Sequence, residues 1–174
     1  MLGFVFGRRP NAAAHVNYIR KKFFGKLWII RHLIKAGIEP PDLLAVYTAY
    51  ILPVVEYCNV VYHCLLNNEM SDDLENMQRI ALRAIYGRGM SYSQVLQQSG
   101  LRSLKDRREE AFRKFAIKTE SNERFSAAWL TKNPTDRGLR NTEKYRLTRS
   151  KFDRLTNGPL NEMRRILNLS LIHI

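Results

Sequence analysis

The sequence predicts a mainly α-helical fold: a bundle of about five helices, with a short strand before it and a poorly ordered basic tail after it. Three observations predict this. Apolar residues recur at helical spacing from Ala12 to Ala36. Helix-start and helix-stop residues punctuate the chain from Ser71 to about 130. Beyond about 131 apolar periodicity gives way to Asn, Thr and basic residues.

Leu2 to Phe6 reads as a short strand ended by Gly7, and Asn11 as the cap of the first helix. Val16, Ile19, Phe23, Leu27, Ile30 and Ile34 form that helix's apolar face, and Gly37 ends it. Pro40 and Pro41 open the second helix, with Asp42 in a first turn that favours acid. Pro53 removes one backbone bond and predicts a kink. From Leu43 to Leu66 the chain is apolar except for Glu56, Asn59 and His63, which share one helical face. That is the pattern of a core helix with a polar edge, not of a lipid-facing span.

Asn67 and Asn68 mark a turn. Asp72 with Glu75, Ser91 with Gln94 and Ser103 with Asp106 have capping-box spacing, so helices are expected at about 73–86, 92–98 and 104–130. Gly87 and Gly100 stop the first two. Leu104, Ala111, Phe112, Phe115, Ala116 and Thr119 form the apolar stripe of the third. Two segments are therefore expected, a helical region 1–130 and a basic, partly disordered tail 131–168. Leu160, Met163 and Ile166 in that tail are spaced to dock back. Residues 169–174 resemble a translated sequencing-library adapter and read as an assembly scar.

With 174 residues, 45% of them hydrophobic, the chain can bury one sizeable core. Its 29 basic and 16 acidic residues give a net charge of +13, which favours a polyanionic partner. Residues 131–174 alone carry 10 basic and 4 acidic groups, the most basic stretch for its length. Cys58 and Cys64 make no disulfide framework and predict reduced thiols in an intracellular, nuclear or cytoplasmic protein. With His63 they fall short of a zinc ligand set. No signal peptide is visible, so a non-secreted protein is expected.

Catalytic constellations are missing from the sequence. There is no Gly-x-Ser-x-Gly elbow and no Gly-rich phosphate loop. Asp72-Asp73 precedes a helix rather than sitting on a hairpin, so it reads as a pair of helix-start carboxylates. What remains is basic residues interleaved with aromatics. Lys21, Lys22, Lys26, Arg79, Arg83, Arg107, Arg108, Arg113, Lys114 and Lys118 are the candidate phosphate contacts, because exposed cations on helices neutralise phosphates without reading bases. Tyr47, Tyr50, Tyr57 and Tyr62 read as core rather than as stacking platforms. Two other readings of the charge are a helical protein-interaction module and a basic surface for anionic membranes.

Five phrases in order resemble the region after the palm in reverse transcriptases of non-LTR retrotransposons, jockey-like elements especially. They are Leu2-Gly3-Phe4-Val5-Phe6; His15-Val16 followed by Lys21-Lys22; Tyr47 with Ile51, Pro53, Glu56 and Tyr57; Leu74-Glu75 with Gln78-Arg79 and Ala81-Leu82-Arg83; and Tyr92, Leu96, Gly100-Leu101 and Leu104 with Asp106-Arg107-Arg108. The family carries tryptophan where this chain has Val61-Tyr62. The resemblance implies a thumb-like helical bundle that holds RNA and DNA non-specifically beside the rest of a parent polymerase. It implies an RNA-directed DNA polymerase whose magnesium ions and catalytic carboxylates lie outside this chain. The chain is then expected to be a fragment, inactive by itself, with Met1 an internal methionine. No membrane partner and no cofactor of its own are expected.

Overall fold

A computed structural model describes residues 12–132, 144–149, 151 and 156–169. The described chain is mainly helical. It divides into two compact units, Met1–Arg108 and Glu109–Ile174. This division falls inside one helix, whereas the sequence places its boundary after residue 130. The expected strand at 2–6, the cap at Asn11 and residues 170–174 lie outside the described residues.

In the first unit, α1 (Ala13–Lys35) buries the face formed by Val16, Ile19, Phe23, Leu27 and Ile30. Each large apolar side chain buried this way contributes roughly 1.5–3 kcal/mol. Gly37 ends the helix at φ +80°, where the N–H of Gly37 bonds the Ile34 carbonyl and that of Ile38 the Leu33 carbonyl. This pairing satisfies the last carbonyls and needs a residue that tolerates positive φ.

The next segment bends twice. α2 (Pro40–Val46) runs into a wide π-helical turn, Tyr47–Ile51, in which the Leu52 N–H reaches back five residues to the Tyr47 carbonyl. α3 (Leu52–Glu56) follows at once. Pro53 explains the widening: it has no N–H for the carbonyl four residues back, and its ring crowds that carbonyl. The predicted kink is therefore spread over a π turn. Sequence reasoning missed the second bend. Cys58, at φ +57°, is left-handed and separates α3 from α4 (Asn59–Tyr62) and the short 3-10 turn His63–Leu65. Among the described residues no single helix is long and apolar enough to cross a membrane. The bent pair Pro40–Glu56 and Asn59–Leu65 is apolar enough in sum, but its Leu43, Tyr47, Ile51, Leu52, Val55 and Tyr62 are buried in this unit's core.

α5 (Asn68–Tyr86) packs against α1 and also meets α2 and α6 (Tyr92–Ser99), and its Leu74, Met77, Ala81 and Leu82 are buried in the core. It begins five residues earlier than expected. Asn67, not Asp72, is the cap, and its Oδ1 accepts from the Met70 N–H at 2.8 Å. Asp72 and Asp73 are thus exposed residues within the helix rather than at its start. Ser91 and Gln94 form the complete capping box expected of them. Gly87 and Gly100 stop α5 and α6 as expected, both at positive φ.

α7 (Leu104–Ser121) starts where Ser103 Oγ accepts from the Asp106 N–H at 3.0 Å. It does not continue to 130. It ends at Ser121, and Asn122 caps a separate α8 (Glu123–Trp129) by accepting from the N–H groups of Arg124 and Phe125. An Asn side chain offered to the backbone competes with helix continuation, which is why the stripe breaks there.

In the second unit the expected disordered tail is partly held. Lys144–Arg149 is irregular but anchored on α9 (Pro159–Leu169). Asn168 accepts from the Tyr145 N–H at 2.9 Å and donates to its carbonyl at 3.0 Å. Asn161 does the same for Thr148, at 2.9 and 2.7 Å. Seven residues of helix advance about 10.5 Å and three residues of extended chain about 10 Å, so the two spacings match and the two asparagines read one segment. The buried face of α9 is Asn161, Met163, Arg164 and Leu167, while Leu160, expected to dock, is exposed. Arg164 donates to Thr148 Oγ1 at 2.8 Å and to the Trp129 carbonyl at 2.9 Å. Glu120 receives Lys144 at 2.6 Å and the Tyr145 hydroxyl at 2.8 Å. Burial opposes ionisation of Glu120, yet these bonds and the Lys144 charge prevail and hold its carboxyl below the usual range.

Candidate nucleic-acid interface

α1 carries Arg20, Lys21, Lys22, Lys26, Arg31 and Lys35 and no acidic residue over its 23 positions. Its buried stripe turns these cations outward: all but Lys26 are exposed, and Lys26 is half-buried. Lys22 and Lys26 do more than face solvent. The Lys22 ammonium lies 4.5 Å from the centre of the Tyr18 ring, and that of Lys26 lies 3.5 Å from the centre of the Tyr50 ring. Lys26 also donates to the Tyr50 carbonyl at 3.2 Å. Both contacts are cation–π placements, which hold a charge at a fixed point without neutralising it.

These residues line a groove of about 740 Å³ between α1 and the segment from Ala49 to Tyr57. Tyr18, Lys22, Lys26, Tyr50, Pro53 and Tyr57 form much of its wall, and among the described residues no Asp or Glu lines it. Tyr47 and Tyr62 are core, as expected. Tyr50 and Tyr57 are not: their side chains are about half exposed, at 49% and 50%. The π turn before Pro53 breaks the helical phase that linked them to Tyr47, so sequence spacing could not find them.

His15 also lines the groove and is buried, with its ring 5.3 Å from that of Tyr62 and 6.2 Å from that of Tyr18. Burial lowers its pKa below the ordinary 6.5, against the opposing hydrogen bond with the Tyr57 backbone. It is therefore a neutral aromatic wall at neutral pH, not a cation.

The other candidates have different surroundings. Arg79 is half-buried, its guanidinium 5.0 Å from the centre of the Tyr92 ring, and Arg83 is exposed. Arg113, Lys114 and Lys118, in the second unit, are exposed, and Lys114 pairs with Glu110 at 3.2 Å. Two candidates need correction. Arg108 is only 3% exposed and donates to Ser71 Oγ at 2.7 Å. Arg107 is ion-paired with Glu56, whose hydrogen bond and charge raise the guanidinium pKa despite partial burial. The signal was present for Arg108: it lies four residues after buried Leu104 and four before buried Phe112, on the inner stripe of α7.

Arg107 and Arg108 border a polar network that joins the first unit's elements. The buried Gln78 accepts from the Tyr47 hydroxyl at 3.4 Å and donates to the Tyr92 hydroxyl at 3.0 Å and the Arg102 carbonyl at 3.1 Å. Tyr92 in turn donates to Glu75. Glu75 also accepts from the N–H groups of Leu104 and Lys105, at 3.3 and 3.2 Å, so it caps α7 rather than its own helix. Burial comes first, and the Glu75 carboxylate second, in raising the Tyr92 pKa well above its ordinary value.

The Asp72–Asp73 pair does not suit a two-magnesium centre. Asp72 and Asp73 are successive residues of α5 and diverge by about 100° around its axis. Among the described residues no group of three or more His, Cys, Asp or Glu is placed to share a metal.

Comparisons with known protein families, with curated proteins and with solved structures give no match to this chain.

Proposed function

We propose that this chain is a thumb-like, post-palm region of a non-LTR retrotransposon reverse transcriptase, and that its own capacity is non-specific binding of RNA and DNA without catalysis. The observation that carries the binding is α1, with six cations and no acid on its outer faces. A helix with that charge releases counterions from any phosphate backbone it meets. The motif order in the sequence supports the parentage. Magnesium and the polymerase carboxylates would belong to the remainder of the parent enzyme, and the rest of that polymerase would be this region's protein partner.

Affinity for RNA and DNA of mixed sequence, followed across a salt series, tests the reading. Binding should weaken steeply with salt. Lys21→Ala with Lys22→Ala should lower the slope of log K against log salt by about 2, roughly one unit per lost phosphate contact. Absent binding at low salt, or binding indifferent to salt, would sink it. An in-frame hairpin bearing an aromatic-x-Asp-Asp sequence upstream of Met1 would support the parentage.

A protein-interaction role is the second reading. Phe24 and Trp28, one turn apart on α1, are exposed large apolar residues. A stable complex with a protein partner that is abolished by Trp28→Ala, without nucleic-acid affinity, would favour it.

A further inference from the structure

We propose that the groove between α1 and the Ala49–Tyr57 segment receives unpaired nucleobases. They stack on Tyr50 and Tyr57 while Lys22 and Lys26 hold the adjoining phosphates, so the chain prefers single strands to duplexes. This rests on the nucleic-acid reading above and narrows its substrate class.

Four features of the groove carry it. First, Tyr50 and Tyr57 expose about half of their surface in a concave wall, at 49% and 50%. Exposed rings in a cleft offer π faces that every base can use. Second, the cations are placed against rings, not scattered. Lys26 lies 3.5 Å from the Tyr50 ring centre and Lys22 lies 4.5 Å from that of Tyr18. Lys26 thus sits on one face of the Tyr50 ring and a base would use the other, while Lys22 adds a second positive charge to the same groove wall beside Tyr18. Third, the charged side chains among the described residues lining the groove are Lys22 and Lys26, which favours an anionic occupant. Fourth, its volume of about 740 Å³ lies within the roughly 300–1,000 Å³ range of ligand clefts. A duplex keeps its bases paired inside the helix and can offer this groove only its backbone.

Charge complementarity selects this occupant over an apolar peptide, which would leave two ammonium groups facing apolar surface. The lysines alone would serve a duplex equally well; the half-exposed tyrosines would not.

Fluorescence anisotropy at one fixed salt concentration, on the full chain, separates the possibilities. The probes are an oligouridylate of about 12 nucleotides, an abasic strand of equal charge and a duplex with the same number of phosphates. The base-bearing strand should bind about tenfold or more tighter than the abasic strand, the effect of one or two stacked bases. Tyr50→Leu with Tyr57→Leu should erase that difference and leave abasic and duplex affinities unchanged. Tyr50→Phe with Tyr57→Phe should retain it, because the rings remain. Equal affinity for base-bearing and abasic strands overturns the stacking groove and leaves the electrostatic reading standing. A preference that survives the leucine pair also overturns it, by moving the stacking elsewhere. Failure of all three probes to bind overturns the nucleic-acid reading itself. Should the leucine pair not fold, by circular dichroism, the abasic comparison on the unaltered chain decides.

Discussion

Glu56, the last residue of α3, is ion-paired with Arg107 in the first turn of α7, 51 residues further along the chain. Both side chains are only about a quarter exposed, at 26% and 28%, so the pair is shielded more than a surface bridge. It ties the entry of α7 to the exit of the bent Pro40–Glu56 segment. Arg107 therefore acts in the fold, and its removal should be read in stability. Arg107→Ala should cost about 1–2 kcal/mol by urea denaturation, and a double-mutant cycle with Glu56→Gln should show coupling of roughly 1 kcal/mol. Nucleic-acid affinity should stay within about twofold, as expected of a cation already neutralised. A large affinity loss with unchanged stability would return Arg107 to the interface.

Gln78 has both amide ends engaged in the core, and its loss would leave the buried Tyr47 hydroxyl without its acceptor. Gln78→Leu should destabilise by about 1–3 kcal/mol. Adding Tyr47→Phe should recover part of that, because the stranded hydroxyl goes with it. No recovery in the double variant would mean that packing, not hydrogen bonding, accounts for the loss.

Since His15 is held neutral by burial, its folded pKa lies below the ordinary 6.5 of the unfolded chain. Between those two values the unfolded state binds the proton and the folded state does not. Stability is thus complete above about 6.5 and declines as pH falls toward the lower folded value. Unfolding free energies at about pH 7.5 and about pH 5 should differ in the native chain, and by less in His15→Gln. An unchanged difference would place the titration elsewhere.

Asn161 and Asn168 clamp Thr148 and Tyr145 by paired hydrogen bonds. Asn168→Ala should speed amide exchange at Tyr145 about tenfold, and Asn161→Ala should do so at Thr148. Asn168→Asp keeps the acceptor but not the donor, and should lose less protection. Uniform exchange across all three variants would show that the segment is held by Tyr145 burial alone.

Much of the first unit was legible in the sequence because its signals are local. The apolar period of α1, the capping box at Ser91 and Gln94, and the positive-φ stops at Gly37, Gly87 and Gly100 each act within a few residues of themselves. The cations of α1 were legible for the same reason: a helix whose inner face is apolar must turn its lysines outward.

Tertiary structure decided what depends on distant partners. Glu75 has capping-box spacing with Asp72, yet it caps α7, because Leu104 and Lys105 bring unsatisfied N–H groups within its reach. Arg108 looks like a phosphate contact until the stripe of α7 turns it inward onto Ser71. Lys144–Arg149 reads as disordered by composition, yet Asn161 and Asn168 on α9 supply backbone hydrogen bonds at Thr148 and Tyr145. Tyr50 and Tyr57 read as core until the π turn at Pro53 and the left-handed Cys58 reset the phase of the chain. By itself, then, the sequence determined where α2, α6 and α7 begin, where several helices stop and how positive they are, since those follow from neighbouring residues. Which charges remain free and which aromatics face a groove was settled only when helices 30 to 50 residues apart competed for the same hydrogen bonds and the same buried surface.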